Sequence, residues 1–116
     1  MTDGSRPARA SAFVAVVTTV GSRADAQRIA RELVERRLVA CAQISEIESV
    51  YRWDGRVAQE PEWRLLLKAP ASMTSAVMDA VRALHPYRLP ALHALALHEV
   101  DAAYGAWIEA ETQQPG

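Results

Sequence analysis

The chain has 116 residues, half of them hydrophobic, with a net charge of -1 and a pI near 6.3, so it suits one domain, burying about 65% of its unfolded surface, and has no room for two. No basic field is present to attract nucleic acid or an anionic membrane. No apolar run reaches the roughly 18 residues a membrane span needs, and the single cysteine, Cys41, excludes an intrachain disulfide and suits a reducing, cytoplasmic compartment.

Arg6 and Arg9 precede the apolar run Ala12 to Val17, and Ala24-Asp25-Ala26 follows it, in the outline of a short secretory leader. Cleavage there would delete the best strand, so residues 1–11 are read as a disordered polar tail, 12–111 as the folded domain and 112–116 as a second tail. Phe13 to Thr19 is β-branched and apolar on both faces, the pattern of a buried central strand. Gly21-Ser22 ends it, and Ser22 with Asp25 reads as a helix start. Ala26, Ile29, Ala30 and Leu33 repeat at helical spacing, while Arg28, Arg31, Glu32, Glu35 and Arg36 form a solvated face on which Glu32 and Arg36 can pair. Cys41 to Trp53 is extended, and Asp54-Gly55 tolerates the positive φ of a type I′ turn. The returning strand runs from Arg56 to Lys68; Pro61 inside it predicts a bulge or local break, and Trp63 to Leu67 is a second central strand. Ser72 caps a helix with Met73, Val77, Ala80, Val81 and Leu84 on one stripe. His85 to Pro90 is a loop pinned by two prolines, Leu92 to Leu97 a last strand, and Asp101 caps a third helix carrying Tyr104, Trp107 and Ile108. From Glu111 the chain should fray.

The order β-α-β-β-α-β-α gives an α+β class, the ferredoxin-like split βαβ with an added C-terminal helix. Right-handed crossovers place the first and third strands centrally and both main helices on one sheet face. The other face would expose half of Phe13 to Val17 and half of Trp63 to Leu67, more apolar surface than monomers usually show. Subunits that bury these faces together resolve the excess.

Few residues offer chemistry. His85 sits in a rigid loop that can hold a ligand, and Cys41 is a soft ligand for copper(I) or else a small buried hydrophobe. His93 and His98 are five apart and point to opposite faces of a strand, so they share no metal. Lys68, ending an apolar strand, must reach a rim, a cleft or a carboxylate. No paired metal-ligand spacing, acyl-transfer order or glycine-rich phosphate loop occurs. Arg23 lies in a helix start, not in an acylphosphatase-like loop, and the central strands lack the aromatic platform of an RNA binder. A conventional enzyme is therefore not expected.

Five ordered segments carry a resemblance: Val34-Glu35-Arg36-Arg37-Leu38-Val39-Ala40-Cys41-Ala42, Ser49-Val50-Tyr51-Arg52-Trp53-Asp54-Gly55-Arg56-Val57, Glu62 to Lys68, His85-Pro86-Tyr87 with Pro90, and Tyr104-x-x-Trp107-Ile108. Over about residues 13 to 110 the chain resembles the CutA family, the divalent-cation-tolerance proteins, whose architecture is similar to the PII signalling trimers. The resemblance implies a cytoplasmic homotrimer serving tolerance of copper or another divalent cation, with Tyr51, Trp53, Glu62, Lys68, His85 and Tyr87 near an inter-subunit cleft. The chain departs from the family pattern at Arg88 and Ala91, where carboxylates are usual, at Ala96 and Val100, and at Thr18, where some members carry cysteine. Metal binding at His85 or Cys41 is therefore expected to be weak at most. The alternative is a PII-like trimer whose clefts take a small anion or a partner protein, and a third reading is a structural trimer with no ligand. Carboxylate and histidine density at the cleft would favour the first reading, and Lys68 clustered with Arg56 or Arg88 the second.

Overall fold

The computed structural model describes residues 12–113. The tail expected over 1–11, and positions 114–116 of the tail expected after 111, lie outside the described residues. The elements are β1 (Phe13–Val20), α1 (Arg23–Glu35), β2 (Cys41–Trp53), β3 (Arg56–Pro70), a 3₁₀ turn (Ala71–Met73), α2 (Thr74–Leu84), β4 (Leu92–Ala96) and α3 (Ala102–Glu111). They form an antiparallel sheet in the order β2-β3-β1-β4, with the two most apolar strands inside. This is the expected α+β, ferredoxin-like arrangement.

Strand alternation sets the two faces. Val14, Val16 and Val20 of β1 and Leu65, Leu67 and Ala69 of β3 share one face. They bury against Ala26, Ile29, Ala30 and Leu33 of α1 and Val77, Ala80 and Val81 of α2. Ser22 caps α1 as expected, its hydroxyl accepting the Asp25 N–H at 3.1 Å, and Asp101 caps α3 in the same way. Ser72 does not cap α2. The chain enters through the 3₁₀ turn, and the first α-helical residue is Thr74, whose hydroxyl donates to the Ala71 carbonyl at 2.7 Å.

The opposite face is less bare than the strand pattern predicts. α3 lies across its near end, with Gly105 against the Phe13 ring, and Ala15 and Val17 are buried within one chain. Gln43, Ser45, Arg64, His93 and Leu95 on this face remain exposed. The C-terminus is also better anchored than its polar composition implies. Thr112 is buried with its hydroxyl donating to the Ile108 carbonyl at 2.9 Å, and the Gln113 N–H donates to the Arg37 carbonyl at 2.8 Å. Arg37 follows α1 at a left-handed φ of 59°, and its guanidinium donates to the carbonyls of Ala110 at 2.6 Å and Glu111 at 3.2 Å. One residue thus ends α1 and caps α3.

β1 reaches β3 only as far as Trp63, opposite Val20. The seven pairs from Ile47↔Glu62 to Trp53↔Arg56 stand outside the sheet as a two-stranded ribbon roughly 20 Å long. Its turn residues Asp54 and Gly55 have φ of 53° and 76°, the type I′ signature. Pro61 causes neither a bulge nor a break, because the β2–β3 register runs unshifted through Glu48↔Pro61. Counting from the two-residue turn, that pair is one whose backbone groups point away from the partner strand. The missing proline N–H therefore falls on the free outer edge of β3, where no ladder bond is lost.

Candidate functional site

Where the ribbon leaves the sheet, a groove of about 1520 Å³ opens between β2, β3 and the loop after α2; Tyr51, Trp53, Glu62 and Tyr87 line it, with Glu48, Glu60, Arg88, Leu89 and Pro90. Glu60 and Glu62 are two apart on β3, so both carboxylates face one side. Each holds a phenol: Tyr51 donates to Glu60, and Tyr87 donates to Glu62 at 3.3 Å. The bond to Glu60 pushes the Tyr51 hydroxyl up to about 12, because ionisation would set two anions side by side. Tyr87 is raised too, first by burial and then by the charge on Glu62.

Gly21 makes room for Tyr87. A Cβ there would sit 2.7 Å from the Tyr87 hydroxyl, so the ring tip rests on bare backbone. Behind Tyr87 stands His85, only 8% exposed, their ring centroids 4.9 Å apart. Both imidazole nitrogens are engaged: Nε2 lies 2.8 Å from the Thr19 carbonyl, and Nδ1 accepts the Tyr87 N–H at 3.0 Å. A metal ligand needs a free nitrogen lone pair, and this ring presents none to the groove.

Lys68 and Cys41 are elsewhere. They pair directly with each other, and Lys68 lies opposite Ala15, four positions, or roughly 13 Å, along β1 from Thr19. Cys41 Sγ and the Tyr104 hydroxyl are 3.5 Å apart, Lys68 Nζ stands 5.5 Å from the Tyr104 ring centroid, and Trp107 stacks on Tyr104 at 5.8 Å. The contact with Cys41 pushes the Tyr104 hydroxyl up to about 12. Of the six residues expected at one cleft, four line the groove, His85 supports it from behind and Lys68 belongs to the other cluster. Arg23 faces Glu46 at 3.8 Å. His85 and Cys41 therefore share no site, and among the described residues no three His, Cys, Asp or Glu side chains gather as a metal site. Glu60 escaped the sequence reading, although its alternation with Glu62 placed both on one face.

The CutA1 divalent ion tolerance protein family matches residues 14–111. The chain is similar to the divalent-cation tolerance protein CutA of Thermus thermophilus, 39% identical over 98 residues, 84% of this chain and 95% of that protein. Its Thermotoga maritima counterpart is 34% identical, over 83% of this chain and 95% of its own length. Among solved structures, CutA from Synechococcus elongatus superposes with a TM-score of 0.86 at 31% identity, covering 97% of this chain and 100% of that one. CutA from Xylella fastidiosa gives 0.85 at 34% identity, over 89% and 100%.

Proposed function

Because the chain belongs to the CutA1 divalent ion tolerance family, we propose that it serves divalent-cation tolerance as a cytoplasmic homotrimer, binding cations weakly rather than catalysing a reaction. The observation that carries this reading is the Glu60–Glu62 pair on one face of the groove. Two carboxylates suit a hydrated divalent cation that keeps most of its waters. They do not suit tight copper, which prefers imidazole and thiolate. With His85 bonded at both nitrogens and Cys41 at the far end of the strand, the residues of one chain do not fit a resident copper ion. A binding role is also favoured over catalysis by the partners of the two nucleophile or base candidates: backbone groups for His85 and a phenol for Cys41.

The trimer is supported by the apolar surface left over. Val50, Val57 and Trp53 on the ribbon are each more than half exposed, and Leu95 is 49% exposed on the uncovered face. The PII-like alternative would need Lys68 beside Arg56 or Arg88 across subunits; within one chain Arg88 stands at the groove among carboxylates and Lys68 lies toward the other end of β3. Native mass spectrometry with and without copper(II) tests both parts. The expected result is a mass three times the 12.7 kDa chain, with copper that dissociates readily and is weakened by Glu62→Gln. A monomer at micromolar concentration, or submicromolar copper that survives Glu62→Gln, would overturn the proposal.

A further inference from the structure

We infer that His85 is a pH-operated latch for the loop that forms one wall of the groove. The argument starts from hydrogen-bond polarity. Nδ1 accepts the backbone N–H of Tyr87 at 3.0 Å, so it carries a lone pair. Nε2 faces the Thr19 carbonyl at 2.8 Å, so it carries the proton. The ring is therefore neutral, and one tautomer ties the end of β1 to the start of the loop. A second proton has only Nδ1 to bind. It would set an N–H against the Tyr87 N–H and put a cation in a site 8% exposed. The bond that holds Tyr87 becomes a repulsion. Histidine is the side chain whose ordinary titration falls within the physiological range.

Each element packed around the ring contributes its own polar or charged groups. From α1, Arg28 donates to the Leu84 carbonyl beside the ring and pairs with Asp25. From α2, Arg82 is held by Asp79, and the helix C-terminus itself favours a cation at His85, its cap residue. β1 contributes a carbonyl and no charge. β3 contributes Glu62, which reaches the ring only through Tyr87. β4 contributes His93, exposed and paired with Val17. Within the loop, Arg88 is exposed. A charged ring in this buried seat would have lost the bond to the Tyr87 N–H. The protonated ring therefore leaves its seat, and the Tyr87 hydroxyl leaves both Gly21 and Glu62. Acid thus opens the groove wall and frees one carboxylate.

The consequence for cation binding rests on the function proposed above; the latch does not, and its test contains no metal. Two-dimensional NMR of the wild-type protein from pH 8 to pH 5 reads the imidazole nitrogens and the contacts of Tyr87 together. The expected result is the Nε2–H tautomer at neutral pH. As His85 protonates, the Tyr87 amide should shift with the same midpoint and the contact between the Tyr87 ring and Gly21 should be lost, while protonation of His93 and His98 leaves both unmoved. His85→Asn keeps an acceptor near Nδ1 and cannot titrate, so its Tyr87–Gly21 contact should persist throughout. If that variant fails to fold, the wild-type titration decides alone. An Nδ1–H tautomer at neutral pH, protonation of His85 with Tyr87 unmoved, or a ring neutral until the whole chain unfolds would each overturn the latch.

Discussion

Arg37 sits at a left-handed φ of 59° and donates from its guanidinium to two carbonyls at the end of α3. Replacing it separates two opposing effects. Arg37→Ala keeps the strained backbone and deletes both bonds. A charge-assisted bond is worth about 1.5–3 kcal/mol in general, and a cation at a helix C-terminus about 0.3–1 kcal/mol. This guanidinium is exposed, so the two bonds together are expected to contribute only about 1–2 kcal/mol. Arg37→Gly deletes the same bonds but removes a Cβ whose left-handed placement costs roughly 1 kcal/mol. Glycine should therefore be more stable than alanine by about 1 kcal/mol and close to the wild type. Urea unfolding at one fixed protein concentration, followed by tryptophan fluorescence, measures the differences. Equal stability of Arg37→Gly and Arg37→Ala would refute the strain argument. An alanine variant as stable as the wild type would refute the cap.

Three other outcomes are expected. Gly55→Val places a β-branched residue at φ 76°, where it is strained by more than about 1 kcal/mol; a variant with wild-type melting would show that the turn does not hold the ribbon. Gly21→Ala brings a methyl within 2.7 Å of the Tyr87 hydroxyl, so Tyr87 should leave Glu62, and a crystal structure with that bond intact would contradict the packing. At alkaline pH all three tyrosines should ionise late in a tyrosinate absorbance titration. Their folded values lie above the ordinary 10.0, so the stability they lend is complete below pH 10 and is lost as pH rises toward about 12; normal ionisation near 10 would remove the phenol–carboxylate pairs from the account.

The fold was legible because its signals are local. The β-branched run of β1, the serine before α1 and the Asp54-Gly55 turn each act within a few residues, and each stands where its chemistry predicts. The misreadings come from long-range geometry. Pro61 signals a break only if its N–H faces a partner strand, and that depends on where β1 stops. Thr112 and Gln113 look like a fraying tail until Arg37, distant in sequence, closes over them. At the site, the resemblance groups Tyr51, Trp53, Glu62, Lys68, His85 and Tyr87 at a cleft between subunits, whereas within one chain Lys68 and His85 stand at different ends of the sheet. Nor could spacing reveal that the histidine after α2 gives both nitrogens to the backbone, because its partners are Thr19 and Tyr87 main-chain atoms.

The ribbon also has a kinetic meaning. Among the described residues, β2 and β3 are the only strands that meet across a short turn; β1 must wait for β3 with α1 and all of β2 between them, and for β4 with most of the chain between. A hairpin closes in roughly 1–10 μs, far ahead of such long-range pairings. The ribbon is thus placed to form early and to present one edge of β3, Trp63 to Pro70, as the template on which β1 docks. A weakened Asp54-Gly55 turn then acts chiefly on the folding rate, slowing assembly of a sheet whose unfolding rate it changes little.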